Sequence, residues 1–149
     1  MLIQGVRSPN VHTLEELSAY AHEVLLDVAK KTPCTAVFGP LVPPRKPSEA
    51  GVLGSIWGHA QLLSHKGYVV FDVSSFEHVV ERICYNLDQL GQLRGIDRST
   101  VVAQKFTGPL IETGVFAVVH FHQDYRRCPR ATLEHTVAVK ENVPIEYFG

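Results

Sequence analysis

Four short runs, Cys34–Phe38, Tyr68–Phe71, Val115–Phe121 and Val143–Phe148, are almost unbrokenly apolar, and helix-like sequence fills the gaps between them. A strand that is apolar at every position, not every second one, has to be covered on both faces. In a single domain that means a largely parallel sheet between layers of helices. The intervening segments supply those helices. Val52–Lys66 carries a basic last turn followed by Gly67, and Pro129–Glu141 opens with proline at the favoured first position. Between them, Ser74 and Glu77 have the spacing of a capping box ahead of a helix that runs to about Leu90. A weaker helix, Ser99–Glu112, contains Gly108-Pro109, which should bend or split it. The expected fold is α/β, a Rossmann-like, mostly parallel sheet flanked by helices.

The first thirty-odd residues add one more helix. Thr13 and Glu16 form a second capping-box pattern, and Leu14, Leu17, Ala21, Val24, Leu25 and Val28 recur at helical spacing until Pro33 stops them. This divides the chain into an N-terminal helical extension, residues 1–33, and a main domain, residues 34–149. A proline-rich loop, Leu41 to Gly51, with Arg45 and Lys46 among Pro43, Pro44 and Pro47, joins the first main strand to its helix.

Charge and cysteine content exclude several classes of function. A formal net charge of −1 gives no broadly basic surface, so no polymeric nucleic acid is expected as partner. No apolar run approaches the ~20 residues of a membrane-spanning helix, and no leader pattern opens the sequence, so the expectation is a cytoplasmic protein without a membrane partner. Cys34, Cys84 and Cys128 are too few and too dispersed for a disulfide framework or a thiolate zinc site.

In open parallel sheets, ligands sit beyond the carboxyl ends of the strands. That directs attention to Gly39–Gly51, Asp72–Glu77 and His122–Glu134. The third loop is the richest. Arg126, Arg127 and Arg130 surround a helix start with Cys128 as N-cap, a plausible anion site, and Glu134 lies within the second turn of that helix.

Gly39-Pro40 after the first main strand resembles the Gly-Pro turn of the nucleoside 2-deoxyribosyltransferase-like superfamily, which includes nucleotide N-glycosidases. Cys128, Ala131, Glu134, Ala138 and Val143-Pro144-Ile145 are similar to its second signature, and the resemblance spans roughly Cys34 to Phe148. It implies that Glu134 is the nucleophile at C1′ of a nucleoside or nucleoside 5′-monophosphate, where a carboxylate stabilises the oxocarbenium-like transition state. It also implies that Cys128, Arg126, Arg127 and Arg130 hold a phosphate, and that Gly39 and Pro40 touch the ligand. No metal or organic cofactor is required, and homo-oligomers are common in the family. Three positions depart from its pattern. Arg130 replaces a glycine, Gly114 replaces an aspartate, and no carboxylate lies near Phe106. Leaving-group protonation then falls to Asp72, Asp124 or a histidine. A second class of function stays open beside the glycosidase or transferase: a nucleotide-binding or sensing module that does not cleave.

The remaining candidates have plainer readings. His120 and His122 alternate on a strand and can share a metal, or be one core histidine and one at a sheet edge. His59 and His65 read as surface residues and Trp57 as core. Asp72 and Asp124 also suit turns after strands.

Overall fold

The computed structural model describes residues 1–3, 10–40 and 47–149, with backbone alone for 47–53. Within them lie five strands, β1 (Leu2–Ile3), β2 (Cys34–Phe38), β3 (Val69–Phe71), β4 (Phe116–His122) and β5 (Ile145–Phe148). The helices are α1 (Leu14–Ala29), α2 (Pro47–His65), α3 (Glu77–Gln89), α4 (Arg98–Val102), α5 (Gly108–Glu112) and α6 (Pro129–Lys140). Every strand pair is parallel and the order is β1-β3-β2-β4-β5, so the α/β fold expected to be mostly parallel is entirely so among the described strands. From β2 the chain steps outward to β3, then crosses back to place β4 on the other side of β2. The order therefore reverses between β2 and β4, and the crevice that a doubly wound sheet offers a ligand lies there.

Among the described residues, two helical layers cover the sheet unequally. Phe38, Phe71, Val119 and Phe121 pack beneath α1, α3 and the later helices in one large core, with Phe38 stacked on Phe121 at 5.2 Å. Among the described residues, Val37 and Val70, on the opposite face, pack with Ile56, Ala60 and Leu63 of α2, and Leu2 and Phe148 lie against them. Helix α1 belongs to the large core. Its Leu14, Leu17, Ala21 and Leu25 are buried, and Ser18 Oγ donates to the Phe106 carbonyl. Thr13 caps α1 by accepting the Glu16 amide, while the Glu16 carboxylate accepts the amide of His12, one residue further out than a standard capping box.

Several local expectations are revised. Residues 1–33 contribute β1 as well as a helix, because Met1–Ile3 lies along β3. Helix α2 begins at Pro47, not Val52, and the rest of the expected proline-rich loop, residues 41–46, lies outside the described residues. Ser74 does not cap α3. Its hydroxyl donates to Asp72 Oδ1 at 2.6 Å, and Val73–Phe76 forms a 3₁₀ turn that leads into α3 at Glu77. Trp57 is 56% exposed on α2, outside the core.

Gly108-Pro109 splits its helix in a specific way. Proline has no N–H and crowds the carbonyl four residues back. The backbone widens into a π turn over Ala103–Thr107, and the Gly108 amide reaches the Ala103 carbonyl, five residues earlier. A Cβ at Gly108 would run into that same carbonyl oxygen, so the turn closes only around glycine. Among the described residues no helix is long and apolar enough to cross a membrane.

Candidate functional site

The reversal point is built tightly. Gly39 follows β2 and His122 ends β4. A Cβ on Gly39 would lie 2.6 Å from Ile56 Cδ1 and 3.0 Å from His122 Cβ. Glycine is needed here so that α2 and β4 can close on the end of β2. Pro40 follows it, half-buried.

Helix α6 follows β4 on the same carboxyl side of the sheet, beginning at Pro129. Cys128 is its extended N-cap and offers no side-chain cap, and Pro129 takes the first position. The first-turn amides therefore have no capping side chain, as an anion site requires. The Cys128 thiol is buried, which leaves its backbone as the part that lines the helix entrance. The three arginines expected to gather here diverge. Arg126 is exposed, with Nε 3.2 Å from the Tyr125 hydroxyl and its guanidinium over the Tyr125 ring. Arg127 is exposed and 3.9 Å from Asp124 Oδ2. Arg130 turns inward.

Arg130 is 6% exposed and lies between two carboxylates. Its Nη1 donates to Glu77 Oε1 at 2.6 Å, and its Nε stands 3.5 Å from Glu134 Oε2 without forming a hydrogen bond. Glu134 is 1% exposed. The carboxylate expected to face an open cleft is thus closed in, with the guanidinium four places upstream against it. Burial pushes both carboxyls above their ordinary range, and Arg130 pulls each back only in part. Burial also works against the charge on Arg130, but Glu134 and Glu77 outweigh it and hold the guanidinium protonated. Glu134 Oε2, Arg130 Nε and Nη2, and Thr107 Oγ1 have no hydrogen-bond partner among the described residues.

Sequence reasoning missed Glu77 as a site residue. Its spacing from Ser74 suggested a cap, and nothing in the intervening residues signals a contact with Arg130. Asp72 is buried at the end of β3, where it accepts from Ser74 and its carbonyl accepts from Ser75. Asp124, half-buried, donates its amide to His122 Nδ1 at 3.0 Å. That bond leaves Nδ1 unprotonated and places the proton of the neutral ring on Nε2.

The histidines form a second cluster, on the α2 face. His59, half-buried rather than on the surface, brings Nε2 to 3.1 Å from His120 Nδ1 and stacks flat on Phe148 at 4.0 Å. Glu146 stands 3.8 Å from His120. His120 and His122 are both buried, so neither is a sheet-edge residue. Among the described residues no group of three His, Cys, Asp or Glu side chains could hold a metal ion.

Burial lowers the proton affinity of all three rings. His120 and Lys66 lower His59 further, while Glu146 raises His59 and His120 and Asp124 raises His122. A histidine with a depressed folded-state pKa stabilises the fold above its unfolded value, near 6.5, and loses that contribution as pH falls. Glu77 and Glu134 act in the opposite sense, since their raised values favour the folded state at lower pH. The histidine part is therefore read by difference. Urea denaturation from pH 7.5 to 5 should show His59→Gln losing less stability below pH 6.5 than the parent protein does. Parallel curves would mean that the pair does not titrate with unfolding.

A groove of about 580 Å³ lies at the opposite, amino end of the sheet, lined by residues such as Lys30, Pro33, Thr113 and Ala117, away from the carboxyl edge. No known protein family, curated protein or solved structure matches this chain.

Proposed function

We propose that this chain binds a nucleoside 5′-monophosphate or nucleoside at the carboxyl edge of its sheet without cleaving it. One observation carries the choice of binding over cleavage: Glu134 is 1% exposed behind Arg130, so a sugar carbon has no path to its oxygens without displacing a buried guanidinium. Support for a ligand at this edge comes from the strand-order reversal between β2 and β4, the close packing at Gly39, and the uncapped start of α6. Support for a nucleotide in particular is the resemblance carried by Gly39-Pro40 and by Cys128 to Ile145.

The second reading is the N-glycosidase or deoxyribosyltransferase, with Glu134 as nucleophile and Asp72 or Asp124 assisting the leaving base. A specific observation favours it. Glu134 is a carboxyl of raised proton affinity with an unpartnered oxygen, facing a second such carboxyl across one arginine, and paired carboxyls of this kind serve acid–base chemistry. Self-association accompanies either reading, supported by the exposed Trp57 on α2.

Calorimetry with a panel of nucleosides and their 5′-monophosphates, followed by chromatography for free base, separates the two. The expected result is saturable binding with no base released above the buffer control. Base release that disappears in Glu134→Ala would install the enzyme reading. Absence of binding across the panel would remove both.

A further inference from the structure

Arg130 faces two carboxylates yet is poorly matched in hydrogen bonding. A guanidinium presents five N–H donors in a fixed planar fork, suited to two parallel bonds with one anion. Here one donor meets one oxygen of Glu77, while Nε and Nη2 have no hydrogen-bond partner among the described residues and the side chain is more than nine-tenths buried. The two carboxylates differ in freedom. Glu134 is enclosed, whereas the Glu77 side chain is 26% exposed at the first residue of α3. Rotation of that one side chain into solvent uncovers Nη1 next to the unfilled Nη2. Arg130 is itself the second residue of α6, whose first-turn amides have no capping side chain.

We propose that Glu77 is an internal stand-in for the ligand's anionic group, holding Arg130 until a phosphate displaces it and takes Nη1 and Nη2 together. The inference rests on the nucleotide-binding reading for its ligand and adds the step by which that ligand enters, an exchange of one anion for another. Binding then competes with an intramolecular partner, so apparent affinity is lowered by the fraction of time that Glu77 holds the arginine. The exchange also selects phosphorylated ligands over bare nucleosides, because only an anion can replace the carboxylate.

The test is calorimetry at pH 7.5 with inorganic phosphate and with adenosine 5′-monophosphate, on the parent chain, Glu77→Gln, Glu77→Asp and Glu81→Gln. If Glu77 holds the arginine about nine-tenths of the time, Glu77→Gln tightens both probes about tenfold. Glu77→Asp keeps the charge but shortens the reach, and tightens them by a smaller factor. Glu81 lies one turn further along α3 and pairs with Arg98, so its neutralisation removes the same charge without touching Arg130. It changes affinity less than twofold on this account. Should Glu77→Gln fail to fold, the comparison of Glu77→Asp with Glu81→Gln decides. Equal affinities in all four proteins, or equal gains from Glu77→Gln and Glu81→Gln, overturn the exchange and leave nucleotide binding standing. No binding of either probe by any of the four overturns both.

Discussion

Arg130→Met destabilises the protein by about 3–5 kcal/mol, the range for removing one partner from a buried ion pair. For a chain of this length that corresponds to a fall in Tm of roughly 6–20 °C, at about 2–4 °C per kcal/mol. The reason is the asymmetry of the cluster. Two carboxylates face one guanidinium, and without it Glu134 is left as an uncompensated charge with 1% exposure. A protonated Glu134 escapes the charge penalty but still lacks a partner for its oxygen. The same reasoning sets the sign of a companion variant. Combining Arg130→Met with Glu77→Gln and Glu134→Leu removes all three charges together, and most of the lost stability should return, because replacing buried charges by apolar side chains of similar volume is often close to neutral in stability. Thermal and urea denaturation of the single and triple variants measure both effects. A single variant within 1 kcal/mol of the parent would mean that the cluster admits water freely and that the burial argument fails.

Phe121→Ala costs a similar amount, about 3–5 kcal/mol, through a cavity rather than a charge. Phe121 lies on the inner strand β4, fully buried. It stacks on Phe38 of β2 and meets the edges of Tyr125 at 5.7 Å and His135 at 5.0 Å. It therefore joins the sheet to the 3₁₀ turn and helix that carry Arg130 and Glu134. Removing the ring loosens the entrance of α6 as well as the core, so on the proposed binding reading nucleotide affinity should weaken along with stability. Urea denaturation and calorimetry on the one variant test the two consequences. Tyr85→Ala, on an exposed ring of α3, should stay within about 0.5 kcal/mol of the parent and serves as the surface control.

The sheet was legible in the sequence because burial on both faces writes itself as continuous apolar runs. Cys34–Phe38 reads directly, and the third and fourth runs lie within a residue or two of β4 and β5. Strand β1 was not, since Leu2–Ile3 is too short to carry a period and becomes a strand only by lying against β3. The Gly108-Pro109 pair announced a break but not its form, because a π turn depends on where the Ala103 carbonyl can find a donor. At the site, local reasoning worked for the helix start at Pro129 and for the turn at Gly39. It failed where partners lie far apart in the chain. Glu77 and Arg130 are separated by 53 positions, and His59 and His120 by 61, distances over which no spacing rule operates. The arginines illustrate a subtler limit. Three of them in five residues signal a basic loop, but Tyr125, Asp124 and Glu77 draw them in three directions, and sequence spacing does not carry those vectors.

The unequal cover on the two faces of the sheet has a consequence for how the molecule yields. One wall of the crevice is anchored in the extensive aromatic core. Among the described residues, the other rests on a small aliphatic cluster from α2 and on a histidine couple. Local opening costs least where the fewest apolar contacts must be broken. Amide exchange should therefore be faster on α2 than on α6, and a guest arriving at this edge would then be received by a firm jaw and a compliant one.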